Sequence, residues 1–416
     1  MIKVVIVDGF SSGKFLAKEL FDAGCLLLHI SSSADLHDYY YYGFDYSIYS
    51  SLLTHQNLSD TNQDVALFAP DYIIAGAESG LLLCDELNHR FGLPFANDYN
   101  HSEARRNKYA MIETITHAGL AAARQTTASE WPAAEGWIKS HHGYPVVLKS
   151  LASAGSEGVF ICHSQAEAED AFVQIMGSYS KLNAVNQQVL IQEYLDGVEY
   201  VVNMVSLMGR PLVTEVVRYT KLRLASGRIL YDIDEILDAS FEHYQALVSY
   251  TRQVIESLGI RNGPSHAEVM LTTSGPKLVE VAARTDGILR PTISARTTGL
   301  GQICATVMAI TAPTQFLSFT ECHPSYQLQN YSYNIGLINR HKGIFHQQDF
   351  LSELLTLPSF SLADFYVEEG DAIGVTQDVF SQPGAIYLVH SDAETIRNDY
   401  LTIRRLENDG VYLKNV

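Results

Sequence analysis

Pro264-Ser265-His266-Ala267-Glu268-Val269-Met270-Leu271-Thr272-Thr273-Ser274-Gly275-Pro276-Lys277-Leu278-Val279-Glu280-Val281-Ala282-Ala283-Arg284-Thr285-Asp286-Gly287 reads as two strands joined by a Ser-Gly-Pro turn, with a polar, glycine-containing exit. With an odd-membered connection from Thr272 to Pro276, Leu271 pairs with Lys277. Counting outward, Glu268 then stands opposite Glu280. Like charges facing each other across an antiparallel pair are destabilising, so this register calls for a proton or a cation between them. A hard divalent ion such as Mg²⁺ takes one or two protein carboxylates and fills its other positions with water and phosphate oxygens. Arg284, just beyond Glu280, adds an anion clamp. A plain surface hairpin with solvated glutamates competes with this reading, and the rest of the chain has to decide.

The chain has 416 residues, 47% of them hydrophobic, which is too long for one compact core and ample for several. No run of about eighteen apolar residues occurs, and residues 1–7 form a strand-like segment followed by Asp8-Gly9, not a basic-plus-apolar export signal. A soluble cytoplasmic protein is expected. Its five cysteines are scattered, with no C-x-x-C pair, so neither a disulfide framework nor a zinc site is indicated. A net charge of −19 repels nucleic-acid backbones and anionic membrane surfaces. An anionic nucleotide would need a local basic pocket.

From the N-terminus, residues 3–7 read as a strand, 12–23 as a helix and 25–30 as a second strand, a β-α-β opening. Gly9-Phe10-Ser11-Ser12-Gly13-Lys14 resembles a phosphate loop, but it is one spacer short and has Phe15 where the Mg²⁺-binding hydroxyl belongs. Tyr39 to Tyr42, Tyr46 and Tyr49 form an aromatic cluster, either a partner surface or packing beneath a loop. Residues 71–76 are another buried strand, and Glu78 follows where open α/β sheets place ligand loops, which makes it a substrate-contact candidate. A helix over 81–91 closes this part, and Lys108 opens the next helix.

Residues 144–161 read as strand, small-residue loop, strand; such a loop lets backbone N–H groups approach phosphates, with Lys149 supplying a point charge beside it. Residues 189–205 read as two strands about a tight turn at Asp196-Gly197. Residues from about 313 onward alternate short strands with turns, and a β-rich C-terminal domain is expected.

The order of these pieces is similar to the ATP-grasp superfamily: Lys108 before a helix, Lys149 on a strand, a Gly-rich loop, Gln192-Glu193-Tyr194-Leu195-Asp196-Gly197-Val198-Glu199, and finally Glu268, Glu280 and Arg284. Asp8 to Gly13, Glu78-Ser79-Gly80 and His266-Ala267-Glu268 look like the bacterial L-amino acid ligases, which make dipeptides. The resemblance covers nearly the whole chain. It implies a mixed α/β (α+β) ATP-grasp fold: an N-terminal open parallel α/β domain over 1–97, an ATP-grasp core over 98–312 with a lid at about 120–192, and a C-terminal domain over 313–416.

It also implies the roles. Lys108 and Lys149 contact ATP phosphates; Ala152 to Gly158, with Ser153, Gly155, Ser156 and Gly158, form the lid over them; Glu193, Tyr194 and Leu195 hold adenine by backbone groups; Glu199 takes the ribose. Glu268 and Glu280 match the magnesium ligands, with Mn²⁺ an alternative ion. Arg284 matches the acyl-phosphate clamp, and Glu78, His266 and Gly287 fall on the amino-acid side. Most members read Glu-x-Asn-x-Arg at the last motif, where this chain has Ala282, which puts the ligand set for a second Mg²⁺ in question. His266 projects from the same strand face as Glu268 and either orients a ligand or serves as a structural hydrogen-bonding residue. The implied activity is ATP-dependent ligation of a carboxylate to an amine through an acyl phosphate, with amino acids as small-molecule substrates and a homodimer as one assembly the family allows. Two rivals remain: an ATP-grasp carboxylase or formate-using enzyme of nucleotide biosynthesis, and a regulatory protein that binds nucleotide without turnover.

Overall fold

The computed structural model describes residues 1–36, 41–141, 143–151, 158–178, 185–224, 229–288 and 290–414. At the N-terminus, β1 (Lys3–Val7), α1 (Gly13–Asp22), β2 (Leu26–Ser31), β3 (Ser51–Thr54), α2 (Leu58–Phe68), β4 (Tyr72–Ala75) and α3 (Leu81–Phe91) build a parallel sheet in the order β3-β2-β1-β4. Strand β1 is apolar from Val4 to Val7 because a parallel sheet is covered on both faces. The strand's alternation sends Val4 and Ile6 to one hydrophobic cluster, with Leu16 and Leu20, and Val5 and Val7 to another, with Leu81 and Leu87.

The phosphate-loop lookalike is not used as one: the amine of Lys14 donates to the carbonyl of Tyr42 at 3.0 Å. Part of the tyrosine cluster is packing, while Tyr42 and Tyr46 are exposed. Tyr41 lies edge-on to Phe10, and Tyr49, buried, stacks on Phe44. Tyr39 and Tyr40 lie outside the described residues.

Next come α4 (Lys108–His117), β5 (Gln125–Ala128), α5 (Trp131–Ser140), β6 (Val146–Ser150), β7 (Phe160–Cys162), α6 (Gln165–Ile175) and β8 (Val189–Glu193). The four strands form an antiparallel sheet in the order β5-β8-β6-β7, closed by Ala134, Ile138 and Phe172 from its helices. The expected hairpin at Asp196-Gly197 does not form. Strand β9 (Gly197–Leu207) leaves for another sheet and pairs with a strand much later in the chain, in the register Gly197↔Thr272. Glycine is needed there for close approach rather than for a turn: a Cβ on Gly197 would stand 2.2 Å from the carbonyl oxygen of Leu271.

Along the chain follow β10 (Arg210–Arg223), β11 (Ile229–Ile236), α7 (Tyr244–Ser257), β12 (Gly263–Thr272) and β13 (Gly275–Ala282), and β12 lies between β9 and β13 in its sheet. Glu268 does face Glu280, but by a different route from the one expected. The connection is the even, two-residue Thr273-Ser274, so that Leu271 pairs with Pro276 and Met270 with Lys277. A bulge at Val279 then restores the carboxylate pair. Gly275, at φ +107°, makes the tight turn, a conformation other residues rarely adopt.

After this hairpin come α8 (Pro291–Thr298), α9 (Gln302–Thr311) and α10 (Pro313–Cys322). Then follow β14 (Tyr331–Gly336), β15 (Gly343–Phe345), α11 (Gln347–Leu354), β16 (Phe360–Phe365), β17 (Ala372–Ile373), β18 (Gly384–His390), α12 (Ala393–Asn408) and β19 (Leu413–Lys414). The expected C-terminal strands are present, interleaved with helices.

The chain clusters into two compact units: residues 1–215, 242–291 and 300–325 form the first, and residues 216–241, 292–299 and 326–416 the second. In the second, β11, β14, β18 and β16 are neighbours in an antiparallel sheet, and Phe345, Phe350, Ile386, Ile403 and Tyr412 close its core. The guanidinium of Arg404 donates to Asp232, to Glu407 and, at 2.9 Å, to the carbonyl of Gly336, so both buried carboxylates are paired. All five cysteines are free thiols, and among the described residues no helix is long and apolar enough to cross a membrane.

Candidate active site

All the candidate residues that the structure describes fall in the first unit. Glu268 on β12 and Glu280 on β13 face each other, and their repulsion is met from two sides. Lys108, the first residue of α4, donates from its amine to Glu280, and His266 Nε2 lies 3.5 Å from Glu268 Oε1. Asn107 sets the direction of α4 by capping it, its side chain accepting from the amides of Tyr109 and Ala110. Lys149 enters from β6 and is buried; burial first, then the neighbouring Lys108, depress its amine to about 8 against the pull of Glu280, Glu268 and Glu199. Burial would favour a neutral Glu280, but Lys108, Lys149 and Arg284 prevail and hold its carboxyl down at about 2.

This donor set fits Mg²⁺. The Glu280 carboxyl is held down by its cationic neighbours and faces a second carboxylate, though among the described residues no group of three or more His, Cys, Asp or Glu side chains is placed to hold a metal ion. A cation that keeps most of its positions for phosphate and water asks for no more. Ala282, in place of the family's asparagine, pairs with His266 in the strand register and packs into the apolar cluster of Val5, Val7 and Leu81.

Beyond the hairpin, Arg284 donates to the carbonyl of its neighbour Thr285 and, at 3.3 Å, to Glu78 Oε2. The other oxygen of Glu78 accepts from Arg106 at 3.1 Å. One carboxylate thus serves two guanidinium groups. The segment is anchored to the N-terminal sheet: Ser12 Oγ lies 2.8 Å from Thr285 Oγ1, and a Cβ on Gly287 would stand 3.4 Å from Ser11 Oγ. Asp8, at φ +52°, accepts from the amide and hydroxyl of Ser32 and from the hydroxyl of Ser79, next to Glu78.

His266 sits in a buried polar network. Its Nδ1 lies 3.0 Å from Asn203 Oδ1 and 3.4 Å from Asp286 Oδ2, while Asn203 Nδ2 donates to Asp286 at 3.0 Å. Gln302 accepts from the amide of Asp286 and donates to the carbonyls of Met204 and Ser265. Burial opposes protonation of the imidazole, but Asp286 and Glu268 outweigh it and lift it to about 9. The geometry is that of an oriented ring beside the Glu268 carboxylate.

At the far end of β8, the Glu193 side chain accepts from the Arg124 amide and from Lys277 at 3.3 Å. The Glu193 amide is spent on the carbonyl of Arg124, whereas the peptide groups of Tyr194 and Leu195 have no backbone partner among the described residues. Glu199 lies on β9 opposite Met270, close enough to Lys149 to act on its charge. Gly158, at φ +65°, marks the end of the expected lid; Ser153, Gly155 and Ser156 lie outside the described residues.

A family model described as "ATP-grasp domain" matches residues 142–292. The dapdiamide A synthase of Enterobacter agglomerans is 31% identical over 418 positions, covering 99% of this chain and 97% of that one. The chain belongs to the ATP-grasp ligases. Within them it is also similar to the L-arginine-specific L-amino acid ligase of Bacillus subtilis, 24% identical over 49% of this chain and 48% of that one. The crystal structure of an L-amino acid ligase from Bacillus licheniformis superposes with a TM-score of 0.79 over 100% of this chain and 99% of that one, at 17% identity. An ATP-grasp ligase spends ATP to make a bond.

Sequence reasoning missed Arg106, Asn203, Asp286 and Gln302. Asn203 was detectable as the polar interruption of the apolar strand from Tyr200 to Leu207, and Arg106 as a second cation two positions before Lys108. Gln302 carries no local signal, since its partners are brought to it by folding.

Proposed function

We propose that this ATP-grasp ligase joins two amino acids by a peptide bond and that its cytoplasmic, magnesium-dependent reaction runs at the Glu268–Glu280 site. The observation that carries the proposal is the meeting of Lys108, Lys149 and an ionised Glu280 with Glu268 opposite. Lys108 and Lys149 bind the ATP phosphates, as two buried amines beside carboxylates can do. Glu268 and Glu280 are the residues that would hold Mg²⁺, whose charge neutralises phosphate oxygens; His266, kept in place by Asn203 and Asp286, orients Glu268. The open peptide groups of Tyr194 and Leu195 suit the adenine edge, Glu199 the ribose hydroxyls, and the loop ending at Gly158 the phosphates.

In the first step a carboxylate oxygen of one amino acid attacks the γ-phosphorus, and the bond to ADP breaks. In the second, the amine of the other attacks the acyl carbon, phosphate leaves and the amine's proton passes to solvent. Phosphoryl transfer asks the protein for positioning and charge neutralisation rather than for a nucleophile. Arg284 stands where it can follow the charge from the γ-phosphate to the acyl phosphate, and Glu78 on its far side faces the amino acid.

The test is a product assay over single and paired amino acids. ADP, phosphate and dipeptide should appear in equal amounts; AMP with pyrophosphate would sink the acyl-phosphate step, and turnover with bicarbonate or formate alone would favour the carboxylase-like rival. A second expectation concerns the nucleotide end. Glu199→Ala should weaken ATP binding by about 1.5–3 kcal/mol if both ribose hydroxyls bond to it, with kcat less affected. Unchanged ATP affinity would remove Glu199 from the site.

A further inference from the structure

Two consecutive arginines make opposite use of their donors. Arg105 is 1% exposed and closes a structural knot, donating to Asp85 and to the carbonyls of Asp98 and Leu258. Arg106 makes one side-chain hydrogen bond among the described residues, to Glu78, although its side chain keeps only 10% of its exposure. A guanidinium has five N–H donors in a planar fork, and a nearly buried one is costly when most of them lack acceptors. The remaining nitrogens are not sealed: the buried unpartnered nitrogens include Arg105 Nε and none from Arg106. Its partner is also shared, since Glu78 gives its second oxygen to Arg284. Arg284 also has Asp286 and Glu280 acting on it, whereas Arg106 bonds only to the shared Glu78 among the described residues, which leaves its positive charge only partly answered.

The reaction itself supplies an anion for that charge. Of two amino-acid substrates, the donor's carboxylate is consumed in the acyl phosphate, while the acceptor's carboxylate stays ionised from binding to release. It enters a site that already holds Glu78, Glu199, Glu268 and Glu280, so it needs a cation of its own. Lys108 is committed to Glu280, Lys149 lies among the phosphate-side carboxylates, and Arg284 is the clamp of the reacting group. Arg106 is the cation left over.

We propose that Arg106 is the specificity residue for the acceptor: its unused N–H groups bind the free α-carboxylate of the incoming amino acid while Glu78 holds the guanidinium in place. The ligand class is an α-amino acid, as opposed to an amine or an amino-acid amide. The inference rests on the ligase reading above and adds which residue reads the acceptor. Arg106 reaches the site because Asn107 caps α4, so one tripeptide delivers Lys108 to Glu280 and Arg106 to Glu78.

The test compares the twenty L-amino acids as acceptors with the primary amides of those that react, in wild type, Arg106→Gln and Arg106→Lys, following peptide and ADP. Wild type should prefer the acid over its amide by about 10- to 100-fold in kcat/KM, the worth of a hydrogen-bonded charge pair. Arg106→Gln should lose that factor for the acid and leave the amide within about threefold, with KM for ATP unchanged; Arg106→Lys should recover part of the preference. A loss equal for acid and amide would mean that Arg106 acts only by supporting Glu78, and would overturn the inference while leaving the ligase reading intact. So would a wild type indifferent to amidation. If no amino-acid pair yields peptide in the wild type, the ligase reading falls and this inference with it. Melting curves of both variants separate a misfolded protein from a changed preference.

Discussion

Glu280→Gln is expected to lower kcat several hundredfold, on the order of 3–4 kcal/mol, because the lost charge is needed most as charge builds on the transferring phosphoryl group. The shape and hydrogen-bonding capacity of the side chain survive, so the fold persists. Its stability should nevertheless fall. Taken alone, the facing pair Glu268–Glu280 predicts a mutant at least as stable as the parent, through relief of repulsion. In the folded protein Glu280 is the ion-pair partner of Lys108, which is 5% exposed, and the amide removes the carboxylate that acts most strongly on that buried ammonium, with Glu78 still acting on it. A cost of about 1–3 kcal/mol is expected, read as a lower Tm. Mg²⁺ with ATP should also raise the Tm of the variant less than that of wild type. Wild-type turnover with undiminished stabilisation by Mg²⁺ and ATP would discard the metal site.

Arg284→Met is expected to cost about 10²- to 10³-fold in kcat, the range seen when one donor to a developing anion is removed. Both half-reactions should slow, since in the proposed mechanism the same guanidinium would serve the phosphoryl group before and after transfer. Rapid-quench measurement of ADP, with hydroxylamine to capture acyl phosphate, separates the two. Glu78 keeps Arg106 as a partner at 3.1 Å, so the variant should fold without a stranded carboxylate. An unchanged kcat would remove Arg284 from the chemistry.

Both expectations begin from residues that the chain displays openly. The strands and helices read at 3–7, 12–23, 25–30, 71–76 and 81–91 match to within about a residue, because period and composition are local properties, while β3 and α2 between them were not read. The pieces Lys108, Lys149, Glu193, Glu199, Glu268, Glu280 and Arg284 were legible as an ordered series because each occurs beside a strand or helix signal of its own. Where local reasoning failed, the competing interaction came from afar. The Asp196-Gly197 turn was read as a hairpin, yet Gly197 is required by Leu271 on a distant strand. The parity of the Thr273-Ser274 connection was inverted, and the bulge at Val279 compensated for it; a bulge answers to what the neighbouring strand and helices must pack against, which no count along one segment supplies.

By itself, then, the sequence determined the class of the elements with the clearest apolar runs, the order of the motifs and the types of charge available to a site. Only the tertiary structure decided which charge answers which. Lys108 meets Glu280 across 172 positions of chain and Arg284 meets Glu78 across 206, and both pairings set whether a carboxylate is a metal ligand, a counter-ion or a strut. The physical reason is that a buried charge is worth what surrounds it: burial depresses Lys149 and would neutralise Glu280, and only the positions of their neighbours in three dimensions reverse or reinforce that tendency.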